Sequence, residues 1–211
     1  MTFLKRVMDL ICVALFALTL WPFFIWVSLL ILIRDGRPIF FVSERMNGPD
    51  SAFGLIKFRT MRHDPGDAGV SGGDKVHRIT RTGRYLRRNR LDEIPQLWNV
   101  LRGDISFVGP RPPLRRYVEM FPDLYGEVLK SRPGITGLAT RVYHRHEELI
   151  LARCNTAAET EAAYIRRCVP AKAQLDLIYQ ERRTICFDIW LMFSTVIRRM
   201  PVRYKPGRTG R

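Results

Sequence analysis

The sequence predicts an α+β fold that is mostly helical, with an N-terminal membrane anchor, interfacial amphipathic helices and one small β-hairpin. Three observations lead to this prediction. Residues 10–33 include no charged side chain. Two short apolar runs flank a turn-forming segment at 46–50, and several later segments carry apolar residues at helical spacing. The 211 residues then divide into an anchor (1–36), one membrane-associated domain (37–200) and a basic tail (201–211).

The anchor segment is long enough to cross a bilayer core, because a helix over 10–33 would extend about 36 Å. A cleaved signal peptide is disfavoured, since the apolar run is too long and no small-residue cleavage site follows it. Pro22 lies at the centre of the run and breaks or kinks a helix. Basic residues flank both ends, which draws both ends toward the cytosol. The residues alone leave two alternatives equal: a re-entrant helix-break-helix hairpin and a kinked spanning helix.

Downstream of the anchor, the pattern changes from strand to helix. Apolar runs at 38–42 and 53–59 predict the two strands of the hairpin. Glycine-rich residues 63–74 have no periodic pattern, which predicts a mobile loop. Helical patterns follow at 81–90, 95–101, 114–130, 157–167, 171–179 and 186–197.

The strongly basic composition predicts polyanionic partners. The chain has 35 Lys and Arg against 20 Asp and Glu, a formal charge of +15, which suits nucleic acid, anionic lipid headgroups or phosphorylated substrates. Nucleic acid is disfavoured because no aromatic-interleaved basic stripe, zinc-finger spacing or RNP-type motif is present. The four cysteines form no CxxC pair and predict reduced, structural residues. His144 and His146 lack further clustered ligands and predict surface histidines.

The adjacent acids Asp92 and Glu93 precede the predicted helix at 95–101. Neighbouring residues on a helix do not share a face, so the two carboxylates can have different partners. One can attack phosphorus and form an acyl phosphate. The other can hold Mg²⁺, which binds through one or two carboxylates plus substrate phosphates. Arg87 and Arg111 can donate forked hydrogen bonds to the same phosphates. Taken alone, however, the residues favour simple capping of the helix by the acids.

The block LDEIPQLWNVLRGDISFVGPRP, which contains both acids, resembles the bacterial sugar transferases, the monotopic polyprenyl-phosphate phosphoglycosyl transferases. Other segments that match the family are 5–9, Pro22, 53–61 with its KFRTM end, 78–84, 132–137, 170–179 and Asp188. The chain departs from the family at Trp21, where relatives usually carry a serine, and over 138–148, a region that can bear on sugar choice.

The resemblance implies a two-step reaction. Asp92 attacks the β-phosphate of a UDP-sugar, releases UMP and holds the phosphosugar covalently. Undecaprenyl phosphate, a polyprenyl phosphate, then accepts the phosphosugar, as the first membrane step of exopolysaccharide, capsule or glycoconjugate synthesis. Glu93 acts with Mg²⁺, and Asp92 is a second candidate metal ligand. The matching segments also give the substrate-binding candidates Lys57, Arg59, Arg84, Arg87, Arg111, Asp176 and Asp188.

The resemblance also favours the re-entrant anchor over the spanning helix. It implies a monotopic protein on the cytosolic face of the bacterial inner membrane, with both termini cytosolic. Expected partners are the UDP-sugar, the polyprenyl phosphate and anionic lipids, with a second copy of the chain as a further candidate and nucleic acid excluded. Two other functions stay open: a hydrolase that passes the phosphate to water, and a basic membrane-binding module without enzymatic activity.

Overall fold

The computed structural model describes residues 2–62 and 77–197, most of which are helical. Its α-helices are α1 (Phe3–Arg34), α2 (Arg81–Arg88), α3 (Gln96–Arg102), α4 (Arg115–Met120), α5 (Pro122–Val128), α6 (Leu138–Leu151), α7 (Ala157–Ala163), α8 (Val169–Arg182) and α9 (Ile185–Val196). Its strands are β1 (Phe40–Met46), β2 (Ala52–Phe58), β3 (Ser106–Val108) and β4 (Gly134–Thr136). The predicted α+β, mostly helical class is confirmed.

The predicted hairpin is present as an antiparallel pair of strands. β1 and β2 pair in register from Phe40 with Phe58 to Met46 with Ala52, so β1 begins and ends later than the predicted strand at 38–42. The predicted loop at 63–74 and the basic tail at 201–211 lie outside the described residues.

A second, parallel pair of short strands was not predicted. Ser106 of β3 lies opposite Gly134 of β4. Parallel strands need a long connection, and here α4 and α5 lie within it. A Cβ atom on Gly134 would overlap the backbone nitrogen of Gly109, and one on Gly109 would overlap the carbonyl oxygen of Arg132. The two segments therefore approach closely only because both positions are glycine.

The helices differ from the predicted ones where local geometry intervenes. The single helix predicted at 114–130 is divided into α4 and α5, because Pro122 occupies the first turn of α5 and lacks the N–H that a continuous helix would need. The helix predicted at 157–167 becomes α7 followed by one π-helical turn, Tyr164–Cys168. α6 was not predicted, and it occupies the segment where the sequence departs from the family.

α1 is a single 32-residue helix with a mean hydropathy of 2.4 in its apolar window, long and apolar enough to cross a membrane. Its helical assignment runs through Pro22, so the predicted division into two half-helices is not confirmed. Only 11% of that window is buried. Exposed apolar side chains recur at helical spacing along the whole length, at Ile11, Leu15, Leu18, Ile25, Leu29 and Ile33. One long face of α1 is thus apolar and open, as membrane association requires.

The N-terminal end of α1 is fixed to the rest of the fold by buried polar contacts. Lys5 Nζ donates to the carbonyl oxygen of Val108 at 2.9 Å, and it forms an ion pair with Asp188 of α9. One turn later, the Asp9 carboxylate accepts from the Ser106 hydroxyl at 3.0 Å. α1 is therefore joined to both β3 and α9.

The C-terminal end of α1 packs on the hairpin and α2. Val27 and Ile31 are fully buried and form one apolar cluster with Phe58 and Leu86. Arg59 Nη2 donates to the carbonyl oxygens of residues 35 and 36, just after the helix ends. Both ends of α1 consequently contact the same folded domain.

Breaking the buried ion pair of α1 should destabilise the fold. The Lys5 and Asp188 side chains are 10% and 3% exposed, and removing one partner leaves an uncompensated buried charge. We expect Asp188→Asn to lower the free energy of unfolding by about 3 kcal/mol, which corresponds to a fall of roughly 10 °C in Tm, measured by thermal unfolding in detergent. Glu44→Gln, which breaks the exposed pair with Arg115, is the control and should leave Tm almost unchanged. Equal effects of the two variants would contradict the prediction.

Candidate active site

Asp92 and Glu93 lie together on one 3-10 turn, Leu91–Glu93, between α2 and α3. Arg90, immediately before this turn, has φ 57°, a left-handed conformation that redirects the chain and is uncommon for a residue with a side chain. The N-cap of α3 is Pro95, and no side chain accepts a hydrogen bond there. The capping role that the residues alone favoured for the two acids is therefore wrong, and another reason is needed for their position.

Glu93 is held by cations from other parts of the chain. Its Oε1 accepts from Arg111 Nη2 at 2.9 Å and from Lys57 Nζ at 3.2 Å. Its Oε2 lies 4.0 Å from Arg90 Nη1. Burial by itself would raise the pKa of Glu93, but Arg111 and Lys57 outweigh burial and hold the pKa far below its usual range. Glu93 is thus a fixed negative charge.

Asp92 differs from its neighbour. The residue is 8% exposed, and no hydrogen bond from a described residue reaches its carboxylate. Burial raises the pKa of Asp92, while Lys57 and Arg87 oppose that rise. The carboxylate therefore lies beside cations without being sequestered in an ion pair, as a nucleophile must.

Two of the cations near the acids are positioned by neighbouring groups. Arg87 Nε donates to Thr60 Oγ1 at 2.8 Å, so this guanidinium is joined to the segment just after β2. Burial lowers the pKa of Arg87, and Asp92 opposes that change. Arg111 follows the turn after β3, where a Cβ on Gly137 would overlap the carbonyl oxygen of Gly109. The close packing of these two glycines fixes the backbone position from which the Arg111 side chain extends.

The structure brings some of the predicted site residues together and places others elsewhere. One group, which we call the acid-pair site, consists of the two acids with Lys57, Arg87 and Arg111. Arg59 contacts the end of α1 instead, and Arg84 is on the exposed face of α2. Asp176 is buried in α8, and its Oδ1 has no hydrogen-bond partner among the described residues. Asp188 pairs with Lys5 and accepts from the Tyr179 hydroxyl at 2.7 Å.

Sequence reasoning missed two features of the site. Arg45 of β1 is a partly buried cation whose pKa falls to about 10, through burial and the proximity of Arg111. Arg45 lies between the predicted strand at 38–42 and the predicted turn at 46–50, so no local pattern marked it as a site residue. α6 also borders the site. Burial and the charge of Arg90 lower the pKa of His144, and the negative charge of Glu147 helps to raise the pKa of Arg111. His144 is nonetheless about half exposed, consistent with the predicted surface histidine.

The acid pair has a donor set that suits Mg²⁺ only together with a phosphate ligand. Among the described residues there is no cluster of three or more His, Cys, Asp or Glu side chains. Mg²⁺ commonly binds through one or two carboxylates and completes its shell with water and substrate phosphates. Asp92 and the Oε2 atom of Glu93 supply such carboxylate oxygens, whereas Oε1 is engaged by Arg111 and Lys57.

Comparison with known proteins identifies the family to which this site belongs. The family model described as bacterial sugar transferase matches residues 1–201, which includes the anchor and every residue of the acid-pair site. The chain belongs to the bacterial sugar transferase family. The resemblance of the block around the acids is therefore confirmed over nearly the whole chain.

Individual sugar transferases of this family have similar sequences. An Aeromonas hydrophila protein named UDP-N-acetylgalactosamine-undecaprenyl-phosphate N-acetylgalactosaminephosphotransferase is 31% identical over 92% of this chain and 43% of its own length. A Xanthomonas campestris UDP-glucose:undecaprenyl-phosphate glucose-1-phosphate transferase is 31% identical over 92% of this chain and 38% of its own. The Rhizobium leguminosarum exopolysaccharide production protein PSS is 35% identical over 92% of this chain and 94% of its own. The chain thus spans less than half of the first two relatives.

The buried carboxyl of Asp176 should make stability depend on pH. Burial raises its pKa from 3.8 to about 7, with Lys172 opposing, so the folded state holds this proton more tightly than the unfolded state. Its contribution to stability is fully present below pH 3.8 and is lost as the pH rises through about 7. We expect Asp176→Asn to have nearly the wild-type Tm at pH 4 and a higher Tm than wild type at pH 8. The exposed Asp123→Asn is the control, and a constant difference across this range would contradict the prediction.

Proposed function

We propose that this bacterial sugar transferase is a phosphoglycosyl transferase that moves a phosphosugar from a UDP-sugar to a polyprenyl phosphate. The observation that carries the proposal is the division between the two acids: Glu93 is engaged by Arg111 and Lys57, whereas Asp92 is unpaired among the described residues. The names of the Aeromonas and Xanthomonas relatives describe transfer from UDP-sugars to undecaprenyl phosphate. The Rhizobium name points to exopolysaccharide production.

In the proposed first step, a carboxylate oxygen of Asp92 attacks the β-phosphorus of the UDP-sugar. The bond between this phosphorus and the bridging oxygen breaks, and UMP leaves with that oxygen. An aspartyl phosphosugar remains on the protein. In the second step, a phosphate oxygen of the polyprenyl phosphate attacks the same phosphorus, the bond to Asp92 breaks, and the carboxylate is regenerated. The product is a polyprenyl diphosphosugar.

The cations around Asp92 supply electrostatic stabilisation for this chemistry. Phosphoryl transfer depends mainly on positioning and on neutralising the phosphate oxygens. Arg87 and Lys57 lie near Asp92 and act on its pKa, so a diphosphate approaching Asp92 meets both. Mg²⁺ held by Asp92 and Glu93 would neutralise the diphosphate and favour departure of UMP. The hydrogen bond from Arg111 holds the Glu93 carboxylate in position before substrate binds.

An apolar cavity beside the acid pair supports a lipid acceptor. The cavity has a volume of about 510 Å³ and lies between the middle of α1 and α3. Ile94 and Pro95, which directly follow the acids, form part of its wall, together with Trp21 and Trp98. An isoprenoid chain has only apolar groups to bury, so this cavity suits such a chain with its phosphate near Asp92.

We also propose that α1 enters the cytosolic leaflet of the bacterial inner membrane and returns, so that both of its ends are cytosolic. Lys5 near its start and Ile31 near its end both pack on the same domain. A straight spanning helix would place these two ends on opposite sides of the bilayer. Pro22 supplies the site of bending.

The nucleophile can be tested with one substitution. We expect Asp92→Asn to abolish UMP release from a UDP-sugar, with or without polyprenyl phosphate, and to prevent covalent labelling by a sugar-labelled donor, because an amide cannot replace the attacking carboxylate. Loss of activity should exceed a factor of about 10³. The measurement is UMP formation over a panel of UDP-sugars with Mg²⁺, combined with mass spectrometry of the intact protein.

The matched control is Asp123→Asn, which alters an exposed acid on α5 and should retain full activity. Normal turnover by Asp92→Asn would refute the covalent mechanism. Accumulation of free sugar phosphate, unaffected by polyprenyl phosphate, would establish the hydrolase alternative. Absence of any reaction by wild type and control would favour the non-enzymatic membrane module.

The topology of α1 can be tested by labelling single cysteines in a variant without the native ones. We expect Thr2→Cys and Arg37→Cys, one at each end of α1, to react with an impermeant maleimide only from the cytosolic side of oriented vesicles. Asp123→Cys in the folded domain defines the cytosolic side. Labelling of positions 2 and 37 from opposite sides would show instead that α1 spans the membrane.

A further inference from the structure

A second concave site, built from arginines, lies where α1 ends. We define the arginine pocket by Arg34, Arg59, Arg62 and Arg81, with His77 and Thr80 on its wall. Its volume is about 700 Å³, enough for a phosphate group with its ester substituents. Nothing in the reaction proposed above uses this pocket.

The charge of the pocket fits a phosphate anion. Among the described residues of its wall, four arginines and one carboxylate, that of Asp35, sum to a formal charge of +3. Guanidinium groups bind phosphate oxygens through paired, parallel hydrogen bonds. α2 begins at Arg81 after its Thr80 cap, so the positive end of this helix also faces an anion held there.

Hydrogen bonds to the backbone hold the Arg59 guanidinium in a fixed position at the pocket. Its Nη2 atom donates to the carbonyl oxygens of Asp35 and Gly36 at 2.6 and 2.7 Å, which fixes the guanidinium against the end of α1. Its Nε is buried and has no hydrogen-bond partner among the described residues. Thr82 Oγ1, also in the pocket wall, is buried and equally without such a partner. Buried polar atoms usually have partners, so these two atoms next to the pocket keep unused hydrogen-bonding capacity.

The position of the pocket favours a lipid as the source of the phosphate. Ile33 of α1 is 81% exposed, and Arg34 is the first charged residue after the apolar run. In a membrane-embedded α1, this change from apolar to cationic falls at the level of the phospholipid headgroups. The arginine pocket opens at this same point in the fold.

The residues that line the pocket differ from those of the acid-pair site, although α2 contributes to both. Neither Asp92 nor Glu93 lines it. It lies at the N-terminal end of α2, whereas Arg87 of the acid-pair site is at the C-terminal end, and an eight-residue helix is about 12 Å long. A phosphate in the arginine pocket therefore contacts the end of α2 opposite to the one that leads into Asp92.

We propose that the arginine pocket binds the phosphate diester of an anionic glycerophospholipid and thereby fixes the end of α1 at the membrane surface. The proposal rests on the membrane placement of α1 and is independent of the transferase reaction. It goes beyond a general attraction of the basic chain to anionic lipids, because it assigns that attraction to one site.

The test is thermal unfolding of the full chain in neutral detergent micelles titrated with phosphatidylglycerol. We expect a saturable rise in Tm, because a ligand that binds only the folded state stabilises it, and no rise with phosphatidylcholine, which has no net charge. Arg62→Gln/Arg81→Gln removes two exposed pocket arginines and should raise the half-saturating lipid fraction roughly 30-fold. The charge-matched control Arg145→Gln/Arg153→Gln, at exposed positions of α6 and just after it, should retain the wild-type response.

Three outcomes would overturn the proposal. Equal weakening by the two double variants would show that only surface charge matters. An equal rise in Tm with inorganic phosphate at the same concentration would make the ligand a soluble phosphate rather than a lipid. Loss of UMP release by Arg62→Gln/Arg81→Gln in lipid-free micelles, with its phosphatidylglycerol response intact, would assign the pocket to substrate. An inactive wild type that retains pocket-dependent lipid binding would refute the transferase proposal alone.

Discussion

The ion pairs of Glu93 join three segments that are far apart in the sequence. Lys57 comes from β2, Arg111 from the turn after β3, and Glu93 itself from the 3-10 turn before α3. One buried carboxylate thus fixes the relative position of the hairpin, the parallel strand pair and the turn that bears Asp92. Because a buried charge without partners is costly, Glu93 and its two cations hold one another in place. Among the residues that the structure describes, Asp92 stays unpaired while its neighbour engages these cations.

Local patterns predicted those elements whose geometry is set within a few residues. The hairpin followed from two apolar runs around a turn, and α3 from a proline, Pro95, that suits the first turn of a helix. α9 (Ile185–Val196) is almost the predicted helix, because its cap and its apolar spacing are both local. The acid pair was found as a motif. That only Glu93 of the pair has cation partners among the described residues follows from the positions of Lys57 and Arg111, which no local pattern provides.

The remaining features depend on contacts between distant residues or on single backbone positions. β3 and β4 are three residues each, too short for an alternating pattern, and they pair only because Gly109 and Gly134 permit close approach. α6 has charged and apolar residues mixed over much of its length, so its helical period was weak. Arg45 gained importance only when the fold placed it near Arg111.

The ion pair between Lys5 and Asp188 also constrains the order of assembly, because its partners are separated by 183 positions. Ribosomes add about 5–20 residues per second, so roughly 10 to 40 s pass between synthesis of the two residues. During that interval the ammonium group of Lys5 lacks the carboxylate of Asp188. The N-terminal end of α1 therefore cannot complete its docking onto α9 through this ion pair until residue 188 has been made. A chain that ends before residue 188 could not complete this docking.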